Sequence, residues 1–179
     1  MEPPEIVERI KEKFPEEVIE VTESKDRISV TVKSGRIIDI CRYLHDDPFL
    51  LFDHLQDLTA VDYLKKKEPR FEVIYNLYSI RYRNKIRLKA QVPEENPRIR
   101  SAVPLWAGAN WHERECFDMF GIVFKGHPDL RRILLPEDWE GHPLRKDYPL
   151  KGPEPENDWP GYIEVLNKAK ELKEFEWEG

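Results

Sequence analysis

Seven prolines fall within residues 124–160, and their spacing strongly limits the structure of this part of the chain. Each proline fixes φ and lacks an amide hydrogen, so a long helix or a central strand cannot contain several of them. They are Pro128, Pro136, Pro143, Pro149, Pro153, Pro155 and Pro160. We therefore expect residues 124–160 to form an extended, Pro-rich docking strap.

Within this strap the tripeptide Gly-His-Pro occurs twice, beginning at Gly126 and at Gly141. Each glycine permits a turn, each proline fixes an extended course, and His127 and His142 can donate hydrogen bonds beside those turns. Basic and acidic side chains alternate through the same segment, namely Asp129, Arg131, Arg132, Asp138, Arg145, Lys146 and Asp147. Because a strap lacks ladder hydrogen bonds, we expect these charges to hold it, either on its own domain or along another subunit.

Residues 1–123 have the periodicity of one α+β domain. Apolar residues recur at helical spacing in residues 3–14, 35–44 and 107–120. Strand candidates are residues 17–22, 27–33, 55–63, 71–80 and 85–92, with a turn at 24–26 joining the first two. The alternation in the last strand indicates a mostly antiparallel sheet with one wet face and helices packed on the other face. A short helix over 98–106, broken at Pro104, also fits the pattern.

Residues 161–179 predict a C-terminal amphipathic helix. Tyr162, Val165, Leu166, Ala169 and Leu172 lie at helical spacing. We expect this apolar face to pack either against the chain's own domain or against a partner.

The predicted helix 107–120 carries a carboxylate in an unfavourable place. At 100° per residue, Glu113 falls in the middle of an apolar face that includes Trp106, Cys116 and Phe120. A carboxylate among apolar groups costs free energy unless it is paired and hydrogen-bonded. We therefore predict a basic partner for Glu113, with Arg131 and Arg132 as the candidates.

The opposite face of that helix carries Trp111, Arg114, Glu115 and Asp118. Arg114 and Asp118 are four residues apart and are predicted to pair along the helix. Trp111 is then a large aromatic residue on a charged surface, which is typical of an interface anchor. The alternative is a helix that is buried on both sides within one domain.

Composition excludes several function classes. The net charge is −6 and the pI is about 5.5, which argues against a nucleic-acid binder, whose domain is usually basic. A basic strand from Arg81 to Lys89 leaves an RNA or lipid-surface binder as an alternative.

No apolar run approaches the length of a membrane span, and the two cysteines, Cys41 and Cys116, are consistent with a reducing cytosol. The 36% of charged residues is typical of a thermophile's surface.

No cofactor motif emerges from the residues. The eight glycines form no dinucleotide or phosphate loop. His112, Glu113 and Cys116 resemble the zinc-protease pattern with its second histidine replaced, which makes a small stand-alone metalloenzyme an alternative. His112 and Cys116 alone provide two ligands, which do not make a metal site. We therefore predict no metal-binding, cofactor-binding or catalytic residues in this chain.

Residues 111–150 resemble a known family. The residues that carry the resemblance are Glu113, Arg114, Glu115, Asp118, Met119, Phe120, His127 and Arg131, followed by the run "GHPLRKDYP". These positions are similar to the thirty-kilodalton subunit, also called the C subunit, of respiratory complex I, NADH:quinone oxidoreductase. The resemblance implies structural and docking roles for its residues, among them Asp129, Arg132, Asp138, Lys146 and Asp147.

The resemblance also implies where the chemistry lies. NADH, FMN, iron-sulfur clusters and quinone would belong to partner subunits, and this chain would be a non-catalytic part of the hydrophilic arm. Its partners would be the quinone-pocket subunit, of the D type, and neighbouring iron-sulfur subunits. It would lie peripherally on the cytoplasmic side of the cell membrane, which it would touch only through the complex. The same type of subunit occurs in energy-converting membrane-bound hydrogenases and ferredoxin-dependent complexes, which remain the alternative.

Overall fold

A computed structural model describes residues 3–24, 27–150 and 160–173. Its helices are α1 (Pro3–Lys13), α2 (Ile37–Asp46), α3 (Ala109–Phe120) and α4 (Pro160–Lys173), with a 3₁₀ turn at Ser34–Arg36. Its strands are β1 (Val18–Ser24), β2 (Arg27–Lys33), β3 (His54–Asp62), β4 (Phe71–Tyr78), β5 (Lys85–Val92), β6 (Arg98–Arg100) and β7 (Val123–Lys125). The elements predicted in residues 1–92 and the helix ending before Gly121 are therefore confirmed within a few residues. Most of the predicted turn at 24–26 lies outside the described residues.

Within the described part of the chain, five strands form one mixed sheet in the order β1-β2-β5-β4-β3. Three neighbouring pairs are antiparallel, whereas β2 and β5 run parallel. Strand β5 enters the middle of the sheet, where Ile86, Leu88, Ala90 and Val92 all face the core. The predicted α+β class with a mostly antiparallel sheet is confirmed.

One hydrophobic core joins the sheet to the helices. Ile10 of α1, Leu44 of α2 and Met119 of α3 belong to the same cluster of buried residues as Val30 and Leu88 of the sheet. The helical spacing in the sequence thus marked the core-facing side of each helix. The other face of the sheet carries mainly polar or charged side chains, including Thr31 and Lys89, which pair across β2 and β5. This face, which was predicted to be wet, is only partly so, because Thr31 and Glu72 on it are buried.

The short helix predicted in residues 98–106 is wrong. Residues Arg98–Arg100 form β6, which pairs in parallel with β7. Only Ile99 of this strand is buried, at 2% exposure, while Arg98 and Arg100 point to solvent. Three residues are too few for a period of two to be recognised in a sequence, and the partner strand lies after α3.

Residues 126–150 contain no helix or strand, as the prolines predicted. The strap's remaining segment, 151–159, lies outside the described residues, as does the end of the predicted terminal helix, 174–179. In α4 the side chains of residues 163–171 are exposed. Across the described ranges we find no helix long and apolar enough to span a bilayer.

Candidate functional site

Helix α3 ends where a glycine is required. Gly121 has φ +73°, in the left-handed region that favours glycine. A Cβ atom built there would lie 2.5 Å from Nε2 of His142 and 2.7 Å from Nη2 of Arg145. The strap therefore approaches the helix end so closely that a side chain at position 121 would displace it.

The first half of the strap lies along α3. A ring nitrogen of His127, Nε2, lies 3.1 Å from the carbonyl oxygen of Asn110. One turn further, Arg114 donates to the carbonyl oxygens of Arg131 at 3.2 Å and Arg132 at 3.0 Å. The strap thus follows the helix in the same direction, and it contacts its own domain here.

Asp118 is the main anchor of the strap on α3. It is fully buried and accepts hydrogen bonds from the backbone N–H groups of Ile133 (3.0 Å), Leu134 (2.8 Å) and Leu135 (2.9 Å). Arg132 Nη1 donates a fourth bond at 2.6 Å. Burial acts to raise the pKa of Asp118, but these hydrogen bonds outweigh it and the pKa is lowered.

The second half of the strap folds back over the end of α3. Arg132 Nη2 donates to the carbonyl oxygens of Trp139 (2.8 Å) and Gly141 (3.1 Å), which curls residues 132–141 around one guanidinium. Nδ1 of His142 lies 2.9 Å from the carbonyl oxygen of Asp118, and Arg145 Nε donates to that of Phe120 at 2.6 Å. These side chains satisfy carbonyl groups that the helix end leaves without an intrahelical partner.

The end of the strap is clamped to the sheet by Arg70. This buried guanidinium donates two hydrogen bonds to Asp62 (2.9 and 2.7 Å), two to Asp147 (2.7 and 3.0 Å) and one to Glu94 (2.6 Å). The backbone N–H of Lys146 adds a bond to Asp62 at 2.8 Å. Burial acts to raise the pKa of Asp62, but the bonds from Arg70 and the backbone lower it to about 2.

Sequence reasoning found Lys146 and Asp147 but missed Arg70, Asp62 and Glu94. Arg70 and Asp147 are 77 residues apart in the chain. Each of the three missed residues flanks a strand end, where charged residues are common, so no periodicity singles them out.

The predicted basic partner of Glu113 is wrong. Glu113 is fully buried, but it accepts a hydrogen bond from Ser101 Oγ and one from the N–H of Ala102, both at 2.6 Å. The two candidates have other partners, since Arg131 pairs with Asp129 at 2.9 Å and Arg132 with Asp118. Burial raises the pKa of Glu113 to about 7 although both hydrogen bonds oppose the change.

Glu113→Gln is expected to stabilise the protein at high pH. With a folded pKa of about 7 and an ordinary value of 4.5, the unfolded chain loses this proton first as pH rises. Stability therefore falls between pH 4.5 and 7, by about 3 kcal/mol in all. Because glutamine cannot ionise, the variant should exceed the wild type by up to about 3 kcal/mol at pH 8 and match it near pH 4.5.

Urea unfolding at both pH values measures this difference. Glu115→Gln, on the exposed side of α3, is the matched control. The difference in unfolding free energy between this variant and the wild type should be the same at both pH values. A Glu113→Gln variant that is less stable at pH 8 would instead point to an undetected cationic partner.

The predicted Arg114–Asp118 pair is also wrong, because Asp118 faces the strap and Arg114 binds strap carbonyls. Arg114 instead stacks over the ring of Trp111, with its Cζ atom 5.3 Å from the ring centroid.

Several large apolar side chains of α3 and the strap are exposed. Trp111 is 62% exposed, as is Leu134, and Leu144 is 51% exposed. These three exposed apolar side chains, one on α3 and two on the strap, are here together called the strap surface. The predicted site residues Glu115 and Asp138 are exposed.

The three residues of the metalloenzyme alternative each have a different partner. Nδ1 of His112 lies 3.8 Å from Asp57, Cys116 Sγ is 4.0 Å from the carbonyl oxygen of Leu58, and Glu113 binds Ser101. No group of three or more potential metal ligands occurs in residues 3–24, 27–150 or 160–173.

This chain is similar to subunits of respiratory NADH dehydrogenases. A family model described as the 30 Kd subunit of respiratory-chain NADH dehydrogenase matches residues 30–154. A relative from Roseiflexus sp. (strain RS-1), named as the C subunit of NADH-quinone oxidoreductase, is 54% identical over 81% of this chain and 83% of its own length. One of the same name from Geobacter sulfurreducens is 50% identical over 83% of this chain and 90% of its own length.

Solved structures support the same assignment. A trypsin-resistant fragment of Nqo5 matches with a TM-score of 0.61 and 31% identity, covering 73% of this chain and all of the fragment. A chain of the membrane-bound sulfane sulfur reductase, an archaeal respiratory membrane complex, matches with a TM-score of 0.67 and 26% identity, covering 97% and 94%. Since the family model spans most of the chain and the relatives share about half of its residues, this chain belongs to the family of the 30 Kd subunit of respiratory-chain NADH dehydrogenase.

Proposed function

We propose that this chain is a non-catalytic structural subunit of the hydrophilic arm of an NADH:quinone oxidoreductase. It docks through the strap surface to the quinone-pocket subunit, of the D type, beside neighbouring iron-sulfur subunits. In that position it supports electron transfer from NADH to quinone coupled to proton translocation. It lies peripherally on the cytoplasmic side of the membrane and reaches the membrane only through the complex.

The observation that carries this proposal is the way the strap surface is presented. Asp118 and Arg70 are buried and hold the strap on its own domain through hydrogen bonds. Trp111, Leu134 and Leu144 remain largely exposed to solvent. An aromatic residue with a stacked arginine is the composition of an interface hot spot. A surface that is already fixed loses little conformational freedom on binding, which favours a stable contact between subunits.

The thiols of this chain are poor cofactor ligands. Cys41 and Cys116 are both buried free thiols. Burial, more than the nearby carboxylates, raises the pKa of both, so they stay protonated at neutral pH. Iron-sulfur clusters are held by thiolates, and we therefore assign the clusters to the partner subunits. We assign FMN and the sites for NADH and quinone to those subunits as well, on the basis of the family to which the chain belongs.

Trp111→Ala is expected to weaken docking at least about thirtyfold, because truncating a central aromatic anchor costs about 2 kcal/mol or more. The tagged chain is purified from its native membranes in mild detergent, and the amount of the quinone-pocket subunit that accompanies it is measured. Ile19→Ala, an exposed apolar residue on β1, is the matched control. A Trp111→Ala chain that retains its partners at the wild-type ratio would contradict the assigned surface.

The similarity to the sulfane sulfur reductase chain favours one second candidate, an equivalent subunit of a related energy-converting hydrogenase or ferredoxin-dependent complex. The same purification separates the two candidates. Flavin-binding, NADH-oxidising subunits in the preparation support the first, whereas nickel-iron hydrogenase-type subunits without them support the second. For the distant alternative, a metalloenzyme using His112, Glu113 and Cys116, the decisive result is stoichiometric zinc in the purified chain.

A further inference from the structure

Two loops at one end of the sheet display large apolar side chains to solvent. The first loop, residues 47–53, joins α2 to β3, and the second, residues 79–84, joins β4 to β5. Phe49 in the first is 62% exposed and Ile80 in the second is 60% exposed. We call these two loops together the loop corner. Large apolar side chains exposed on two loops that bind each other are a candidate surface for interaction.

The loop corner is held in a defined conformation. The N–H of Ile80 donates to Asp53 at 3.0 Å, and the hydroxyl of Tyr82 donates to the carbonyl oxygen of Pro48 at 2.8 Å, so each loop binds the other. Phe52 is completely buried and anchors the first loop in the core. Phe49 and Ile80 are therefore presented by a braced structure and not by a loose one.

Among the described residues three non-glycine residues have a positive φ, and two of them lie in these loops. Leu51 has φ +43° and Arg83 has φ +56°, both in the left-handed region that non-glycine residues rarely adopt. Such conformations persist only where the surrounding structure holds them, and they cluster at binding and switch sites.

The second loop and its junction with β5 are basic, whereas the first loop carries two carboxylates, Asp47 and Asp53. Arg81, Arg83 and Lys85 are exposed there, although the whole chain has a net charge of −6. The nearby carboxylates of Asp47 and Asp53 accept hydrogen bonds from N–H groups of the two loops. Exposed basic side chains next to Ile80 complement carboxylates at the rim of an apolar pocket on a partner.

The loop corner is remote from the Arg70 clamp. Strand β4 begins at Phe71, next to Arg70, and ends at Tyr78, just before the second loop. Seven residue steps at about 3.3 Å each separate the two ends by about 23 Å. The loop corner and the Arg70 clamp therefore lie at opposite ends of β4.

We infer that the loop corner is a second docking surface, which binds an apolar pocket rimmed by carboxylates on another protein subunit. This contact goes beyond the docking proposed for the strap surface and does not depend on it. A protein partner is favoured over an anionic membrane because the two loops are braced and strained into one shape, which shape-specific recognition uses and lipid binding does not.

Site-specific photo-crosslinking in the native complex tests this inference. p-Benzoylphenylalanine is incorporated in place of Phe49 or Ile80, at Leu134 as the reporter of the strap surface, and at Ile19 as the exposed apolar control. The complex is purified from native membranes, irradiated and analysed by mass spectrometry. The expected result is a crosslink from positions 49 and 80 to an Asp- or Glu-rich surface of a protein subunit, and none from position 19.

Two results would overturn the inference. One is crosslinking from positions 49 and 80 to lipid alone, and the other is no crosslink there in a complex whose position 134 does crosslink. The reporter at position 134 keeps this failure distinct from a failure of the strap surface.

Charge reversal tests the predicted chemistry of the partner. Arg81→Glu combined with Arg83→Glu should lower the crosslink yield from position 80 about tenfold, because like charges would then face each other. Arg98→Glu combined with Lys125→Glu changes two exposed basic residues elsewhere by the same total charge and should leave the yield unchanged. Equal yields in both variants would exclude an acidic partner.

Discussion

Arg70→Met is expected to lower the free energy of unfolding by about 3–5 kcal/mol, because it leaves buried Asp62 without its charge partner. Arg70 is 1% exposed and makes two hydrogen bonds to that carboxylate. Urea unfolding of the wild type and the variant at pH 7 measures the difference. Asp147→Asn is the matched control and should cost less, since Asp147 lies on the rim of the same cluster with 51% of its side chain exposed.

The loss in Arg70→Met should depend on pH in a definite direction. The pKa of Asp62 is held at about 2, below its ordinary value of 3.8, so its pairing stabilises the fold fully above that ordinary value. The contribution disappears as pH falls through 2. The difference between variant and wild type should therefore shrink between pH 4 and 2. A difference that stays constant across that range would mean that Asp62 is not the group that Arg70 stabilises.

Asp118→Asn is expected to destabilise the protein by about 3 kcal/mol or more and to release the strap. The substitution removes the charge that faces Arg132 and places an amide against three backbone N–H donors. Urea unfolding measures the loss of stability. Limited trypsin digestion measures release of the strap, since cleavage after Arg131 and Arg132 should become much faster.

An exposed pair nearby provides the control for Asp118→Asn. Asp129→Asn breaks the contact with Arg131, in which both side chains are more than half exposed, and should cost less than about 1 kcal/mol. It should leave the rate of cleavage near wild type. If the two variants were cleaved at the same rate, Asp118 would not be what holds the strap on α3.

Local patterns in the sequence predicted the elements well where a period repeats. The alternation in β5 and the helical spacing in α1 and α2 each mark a core face, because burial of one face selects apolar residues at that period. Strands β6 and β7 were not predicted, since three residues contain too little of any period. The parallel pairing of β2 with β5 was also not predictable, because register between distant strands depends on how the whole sheet assembles.

The candidate site was predicted in its residues more than in its contacts. The prolines and the alternating charges indicated a strap held by charge-assisted hydrogen bonds, and the structure shows such bonds from Arg132 and Arg145 to α3. The predicted partner of Glu113 was wrong because helical spacing assigns a residue to one face of the helix but does not identify the residues that pack against that face. Glu113 meets Ser101 and Ala102, which belong to the loop after β6.

The sequence by itself determined the α+β class, the absence of helix and strand in residues 126–150 and the family, because apolar period, proline and motif residues act at their own positions. Only the tertiary structure decided which charges meet. Asp118 forms an ion pair with Arg132, whereas Glu113 accepts hydrogen bonds from two neutral donors. Arg70 binds Asp147, which lies 77 residues further along the chain. The reason is physical: a buried charge is stabilised by whatever donors lie within about 3 Å of it, and the path of the whole chain sets those neighbours.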